Sequence, residues 1–248
     1  MSKPDYLIVG TMKGGTTILY DFVCDHPDVV SAKQKEIHYF SLYYDKGEDW
    51  YSSFFNNSDT AQMTGEASPT YFDMSTGGVI PRLIKKDYPD TKIILVVRDP
   101  VERAISHFNH YCTINKVESV IEKGIERFFN DSYSDAAKCT TADQTFLYHV
   151  LNFSCYSQKF KYFKNTFGEN MLVVSNDRLR SESQEVMSEV HSHLGLSHRS
   201  SSLFEEVRYS AGTKKEQISE ETLRKLKVYL YPDYEKFCGD AGIEFREI

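Results

Sequence analysis

The chain has 248 residues and a formal net charge of −7 at neutral pH, with 26% of its residues charged. A negative balance of that size argues against wholesale nucleic-acid binding, although a local basic cleft would survive it. The length suffices for one α/β domain with its own core, and no Pro/Gly/Ser-rich linker divides it, so residues 1–248 read as a single domain. Apolar runs such as Ile93 to Val97 are far too short to cross a bilayer, and the N-terminus carries no apolar leader, so a cytoplasmic protein is expected. Five cysteines (Cys24, Cys112, Cys139, Cys155 and Cys238) form no CxxC pair and suit neither a disulfide framework nor a structural zinc site. They are expected to be reduced and mostly in the core.

Tyr6 to Val9 predicts a short buried strand, because four consecutive apolar or aromatic residues bounded by Gly10 fit strand length and lack helical periodicity. Ile18, Leu19, Phe22 and Val23 then recur at helical spacing, so Gly10 to Gly15 joins a strand to a helix N-terminus. Such a junction binds anions. First-turn N–H groups lack intrahelical partners, Gly14 and Gly15 allow close approach, and Lys13 adds a full positive charge. Lys13 precedes the glycine pair, so the P-loop spacing GxxxxGK[ST] is absent. The bare motif also fits a tight strand-to-helix turn that holds no ligand.

His26-Pro27-Asp28 marks a turn. In Lys33 to Phe40 an extended backbone would place Glu36 and His38 on one face, while a solvated loop with a surface histidine fits the same residues. Asp45 to Asp59 shows no period and reads as an irregular surface excursion, and Pro69 ends the short segment Thr64 to Phe72. Val79 to Tyr88 has helical spacing. Lys92 to Val97 is the near-continuous apolar run of a doubly covered parallel strand. Asp99 follows as the expected N-cap, Pro100 as the first helical residue and Glu102 as the partner in a capping box. Arg98 then stands at the carboxyl end of a strand, where open α/β sheets bind ligands, with Ser106 about two turns into the helix. A guanidinium and a hydroxyl suit a phosphate, and local pairing of Arg98 with a carboxylate is the plainer alternative.

Further on, Ala142 to Phe167 reads as one long helix closed by Gly168, with Lys159, Lys161 and Lys164 on its wet side. Met171 to Ser175 reads as a buried strand, Gln184 to Leu194 and Ser219 to Phe237 as helices, and Glu205 to Gln217 as a polar loop. Neither His191 with His193 nor His107 with His110 completes a ligand set, so no metal is expected. Strand and helix alternate throughout, which predicts an α/β protein with a central parallel sheet covered by helices on both faces.

Six stretches together resemble a known family: GTMKGGTT (Gly10 to Thr17), KEIHYF (Lys35 to Phe40), GEASPTYF (Gly65 to Phe72), VVRDPVERAISHF (Val96 to Phe108), FLYHVLNFSCYSQKFKYF (Phe146 to Phe163) and SAGTKK (Ser210 to Lys215). They resemble the sulfotransferases that use 3′-phosphoadenosine 5′-phosphosulfate (PAPS), most closely the branch containing the heparan sulfate 3-O- and N-sulfotransferases. The resemblance implies the P-loop-like sulfotransferase fold, with PAPS as sulfate donor and 3′-phosphoadenosine 5′-phosphate (PAP) as product. By the same resemblance Lys13, Gly14, Gly15, Thr16 and Thr17 would bind the 5′-phosphosulfate, with Lys13 near the bridging oxygen. Arg98 and Ser106 would hold the 3′-phosphate, and Gly212, Thr213 and Lys214 in the late loop would add to the donor site. Glu36 would be the base on an acceptor hydroxyl, or less readily an amine, and His38 would support it. A carbohydrate or a small natural product would be the partner. Ala67 and Ala211 stand where the heparan enzymes carry lysines, which weakens any transfer of the heparan substrate to this chain.

The residues suit the chemistry independently. A sulfuryl group leaves with less charge than a phosphoryl group, so lysine and backbone donors can replace the magnesium a kinase needs. A carboxylate desolvated beside aromatic residues would have its pKa raised toward the task of a base. Two other readings stay open. One is a metal-dependent small-molecule kinase using Gly10 to Thr17, which the position of Lys13 opposes. The other is a non-catalytic nucleotide-binding module, which has no need of Glu36 beside His38.

Overall fold

The computed structural model describes residues 3–55, 62–115, 142–206 and 218–245. The chain divides into two compact units, residues 1–98 with 158–210, and residues 99–157 with 211–248. The first carries five strands: β1 (Tyr6–Gly10), β2 (Val29–Ser31), β3 (Met63–Glu66), β4 (Lys92–Val97) and β5 (Met171–Ser175). All pair in parallel, in the order β2-β3-β1-β4-β5. β1 is central. The chain leaves it toward β2 on one side and later returns to β4 and β5 on the other, so the carboxyl end of β1 lies at the topological switch point of an open sheet.

The apolar run of β1 is buried at every position because both faces of the sheet are covered. On one face Tyr6, Ile8, Ile94, Val96 and Val174 pack with Leu19, Phe22 and Val23 of α1 (Thr16–Cys24). Val186, Met187, Val190 and Leu194 join the same cluster. On the other, Phe72 lies directly over Gly10 and its ring stands 5.8 Å from that of Phe163. A Cβ at Gly10 would come within 2.6 Å of the Phe72 Cβ, so the close passage of α3 (Thr70–Asp73) over the sheet requires glycine there.

In the second unit Asp99 Oδ1 accepts from the N–H groups of Val101 and Glu102, both at 2.9 Å, and so caps a helix at Pro100–Asn115 as its sequence predicts. Arg103 on that helix is fully buried, donating from Nε to Ser154 Oγ at 2.8 Å and from Nη2 to the Val150 carbonyl at 2.6 Å. The last helix, Glu220–Ala241, is capped by Ser219, whose hydroxyl accepts from the Thr222 N–H.

Four expectations are corrected. Residues 142–167 form two helices, Ala142–Ser154 and Ser157–Phe167, because Asp233 accepts from the backbone N–H of Tyr156 at 2.5 Å and of Ser157 at 3.1 Å, and from the Ser157 hydroxyl. A carboxylate supplied from elsewhere in the chain thus starts a new helix where periodicity alone runs on. Lys159 is buried, with its ammonium 5.8 Å from the centre of the Phe72 ring, so it is not on a wet face. The stretch from Asp45 is ordered as far as the structure describes it: α2 (Glu48–Ser52) sets Tyr51 at zero exposure and Phe55 is buried beside it. Glu205 and Glu206 end a short helix, Leu203–Glu206, before residues 207–217, which lie outside the described residues. Cys24, Cys155 and Cys238 carry free thiols, only Cys238 of the three being fully buried, and Cys139 lies outside the described residues.

If the Asp233 carboxylate is what starts the second helix, Asp233→Ala should lower stability by about 1–2 kcal/mol. Urea denaturation measures this, and an unchanged midpoint would mean that the amides of Tyr156 and Ser157 are satisfied without it.

Candidate active site

Because every strand of the sheet is parallel, the carboxyl ends of β3, β1, β4 and β5 share one edge, and each delivers a polar group there. From β1 comes the loop through Gly15. Its entry is tied down by Thr11, which donates from N–H and Oγ1 to the Val96 carbonyl at 2.7 and 3.2 Å. The two residues flanking Lys13 are held from opposite directions: Met12 N–H donates to Asp73 Oδ2 at 2.8 Å, and Asn176 Nδ2 donates to the Gly14 carbonyl at 2.7 Å. Lys13 itself has φ 66, a left-handed conformation that costs a non-glycine residue on the order of 1 kcal/mol or more.

The glycines are required by contact as well as by conformation. A Cβ on Gly14 would meet Thr11 Oγ1 at 2.3 Å, and one on Gly15, at φ 107, would meet Asn176 Nδ2 at 2.4 Å. No side chain caps α1, so its first-turn N–H groups face outward beside Lys13 and Thr17. Burial first, and then the neighbouring Arg98 guanidinium, push the Lys13 ammonium below the ordinary lysine range, with Glu36 partly offsetting them. Two like charges are thus gathered at the ends of adjacent strands. That is the donor set of an anion site.

The segment carrying Glu36 and His38 is not extended. It runs irregularly from Ala32 to His38 and then enters a single π turn, Tyr39–Tyr43, a form frequent at functional sites. His38 takes φ 58 and ψ 23, and this left-handed turn achieves what a strand would have done, setting His38 Nε2 3.5 Å from Glu36 Oε2. The other ring nitrogen, Nδ1, is 2.8 Å from Thr70 Oγ1, which in turn lies 2.7 Å from Ser41 Oγ. Lys35 bridges Glu36 Oε1 at 2.9 Å and Thr17 Oγ1 at 2.6 Å. The imidazole beside it, with help from Lys35, holds the Glu36 carboxyl down to about 2 against the effect of burial. The expected upward shift is therefore reversed: Glu36 is a carboxylate throughout the physiological range.

Beneath this pair sits Glu66, at the end of β3 and at zero exposure. Its Oε2 accepts from Ile37 N–H at 3.1 Å and Ser68 Oγ at 2.5 Å, and its Oε1 from Tyr51 OH at 2.8 Å and Tyr71 OH at 2.5 Å. Ser68 Oγ also accepts from His38 N–H at 2.8 Å. One buried carboxylate therefore fixes the peptide groups on both sides of Ile37, the second of them through Ser68. Burial pushes the Glu66 carboxyl up, opposed by these four hydrogen bonds. Sequence reasoning missed Glu66, Asp73 and Asn176 as site residues. Asn176 carried a usable sign, since it follows β5 as Arg98 follows β4.

Of the residues predicted from sequence, Lys13, Gly14, Gly15, Thr16, Thr17, Glu36 and His38 lie together at this edge, and Arg98 reaches Lys13 electrostatically. Ser106 is half-buried on the helix at Pro100–Asn115. Gly212, Thr213 and Lys214 fall outside the described residues. Among the described residues no three His, Cys, Asp or Glu side chains converge as a metal-binding group, and no helix is long and apolar enough to cross a membrane.

Comparison with known proteins matches residues 3–232 to the sulfotransferase domain model. Human heparan sulfate glucosamine 3-O-sulfotransferase 6 is 45% identical over 105 residues, covering 42% of this chain and 30% of that protein. Human heparan sulfate glucosamine 3-O-sulfotransferase 3B1 is 33% identical over 194 residues, covering 78% of this chain and 46% of that protein. The chain thus spans less than half the length of these relatives. A sulfotransferase from Alicyclobacillus acidocaldarius superposes with a TM-score of 0.77 at 19% identity, over 99% of this chain and 98% of that one, which speaks to the fold. The chain belongs to the sulfotransferase domain family and has its P-loop-like α/β fold.

Proposed function

We propose that this sulfotransferase takes its sulfuryl group from PAPS and passes it to an acceptor hydroxyl, releasing PAP. The observation that carries this is the meeting of two cations and one ionised carboxylate at a single sheet edge: Lys13 and Arg98 follow the adjacent strands β1 and β4, and both Arg98 and Glu36 are near enough to act on the Lys13 charge. The residues fit a nucleotide that carries two separate anionic groups. Glycines that admit no Cβ, an uncapped helix N-terminus and two gathered cations supply what phosphate groups need. PAPS supplies an activated sulfuryl group on a phosphate that gains negative charge as the bond breaks.

Lys13 and the N–H groups of residues 15–17 would bind and orient the 5′ end, with Gly14 admitting its close approach, and the Lys13 charge would strengthen its hold as that negative charge develops. Arg98, with Ser106, would take the 3′-phosphate, and Gly212, Thr213 and Lys214 would add to the donor site. Glu36 would receive the acceptor's proton, with His38 orienting it through Thr70. The family match runs through both compact units, which supports reading residues 1–248 as one catalytic domain. The kinase reading is disfavoured by the place of Lys13 ahead of its glycine pair.

PAP should stabilise the protein against heat by about 2.7 kcal/mol at a hundredfold excess over its dissociation constant, and adenosine 5′-monophosphate by much less, since Arg98 would lose its ligand. Equal shifts in a thermal melt would sink the 3′-phosphate assignment.

Glu36→Gln should lower turnover of labelled PAPS by roughly two to four decades while PAP binding stays nearly intact, and His38→Ala should cost less. The sign of the pH profile follows from the depressed carboxyl. With its pKa held down to about 2, Glu36 stays deprotonated as pH falls through the reference value of about 4.3, so the acid limb should lie below that value. A limb near about 6.5, the reference for an imidazole, together with the reverse ranking of the two variants, would move the base role to His38.

A further inference from the structure

Lys35 is left without a task by the chemistry above, although its side chain stands where the donor loop and the base meet. Its backbone is fixed just past β3, where the Lys35 carbonyl accepts from Ala67 N–H at 2.8 Å, which leaves the side chain as the part that can move. From there Nζ reaches two partners at once, Thr17 Oγ1 at 2.6 Å and Glu36 Oε1 at 2.9 Å. Thr17 belongs to the first turn of α1, whose N–H groups have no capping side chain. A sulfuryl group passing from a phosphate on that turn to an oxygen beside Glu36 must cross the interval that the Lys35 ammonium bridges.

The resting contact works against the base. His38, with Nε2 3.5 Å from one oxygen, and Lys35 on the other hold the Glu36 carboxyl down to about 2, and so stable a carboxylate takes a proton from a hydroxyl poorly. The other charges that face this pair are Lys13 in the loop after β1, which feels Glu36, and Asp21 one turn on from Thr17 in α1, which feels Lys35. An anion on the first turn of α1 brings its oxygens within reach of an ammonium already bonded to Thr17. The flexible stem of a lysine lets Nζ turn from the carboxylate to those oxygens and keep Thr17 as it does so. Resting on the PAPS-dependent reading above, we propose that Lys35 is a third cation of the donor site, which gives up Glu36 for the sulfuryl oxygens when PAPS binds and so frees the carboxylate for the acceptor's proton. Lys35 keeps its own protons throughout. The S–O bond to PAP breaks, the bond from sulfur to the acceptor oxygen forms, and the acceptor's proton passes to Glu36.

Isothermal titration of the full chain with PAPS and with PAP, and with no acceptor added, tests this in the parent, Lys35→Gln, Lys35→Arg, Glu36→Gln and the double variant Lys35→Gln/Glu36→Gln. Lys35→Gln should raise the Kd for PAPS about tenfold or more, the scale of one charge-assisted hydrogen bond, and the Kd for PAP less than about threefold, because PAP lacks the sulfuryl oxygens. Lys35→Arg should stay within about threefold of the parent, since a guanidinium also donates to those oxygens. The double variant separates exchange from plain neutralisation. A lysine that only cancels the charge of Glu36 costs nothing to remove in the Glu36→Gln background, whereas under exchange Lys35→Gln still raises the PAPS Kd about tenfold there. A cost within about twofold in that background overturns the proposal, as do equal losses for PAPS and PAP, or an arginine variant no better than the glutamine one. Melts of the unliganded variants check the fold, and Lys35→Met replaces Lys35→Gln if the latter unfolds. A parent that binds neither nucleotide rejects the donor reading itself, and this proposal with it.

Discussion

The arrangement at the sheet edge depends on a carboxylate that water never reaches. Burying the charge of Glu66 would cost several kcal/mol if it were left alone, and that cost is offset only because all four hydrogen bonds are made at once. Two come from the tyrosines Tyr51 and Tyr71, one from Ile37 N–H and one from Ser68, which passes the constraint on to His38 N–H. The unfavourable left-handed backbone of His38 persists because its neighbours are over-determined in this way. Stacking of Tyr39 on Tyr51 at 4.3 Å seals the same hub from the aromatic side, so the ring that helps satisfy the carboxylate also anchors the π turn.

The loop after β1 follows the same logic with different chemistry. Asp73 and Asn176, both almost wholly buried, grip the peptide groups on either side of Lys13, and Arg180 steadies Asn176 from behind with a contact from Nε to Oδ1 at 3.2 Å. Donors held in place before a ligand arrives need no reorganisation when charge develops, which is where electrostatic catalysis gains most. Glu36 offsets part of the repulsion that Arg98 exerts on Lys13, and an anion bound beside them would offset more of it, so the site favours a negatively charged guest.

Much of the scaffold is legible in the sequence. Tyr6 to Val9, Lys92 to Val97 and Met171 to Ser175 are strands because unbroken apolar runs suit a sheet covered on both faces, and Asp99 announces its helix by a rule that needs only neighbours. What escaped has partners far along the chain. The split of residues 142–167 is made by Asp233, 77 positions from Tyr156, and nothing local to Cys155 announces it. Glu66 reads as an ordinary polar residue at the end of a strand until Tyr51, Tyr71 and Ile37 are folded around it. The depressed carboxyl of Glu36 escaped for a different reason, since its partners are local: sequence shows aromatic neighbours that suggest desolvation, whereas the left-handed turn at His38 and the adjacent Lys35 bring positive groups onto its oxygens.

The account holds that the donor site stands assembled before the nucleotide arrives, and a crystal structure of the PAP complex tests that most directly. The 5′-phosphate should lie on the N–H groups of residues 15–17 beside Lys13 and the 3′-phosphate on Arg98, with the backbone of residues 36–38 within about 1 Å of its present position. Phosphates bound elsewhere, or a segment that takes up its place only by leaving Glu66, would contradict it.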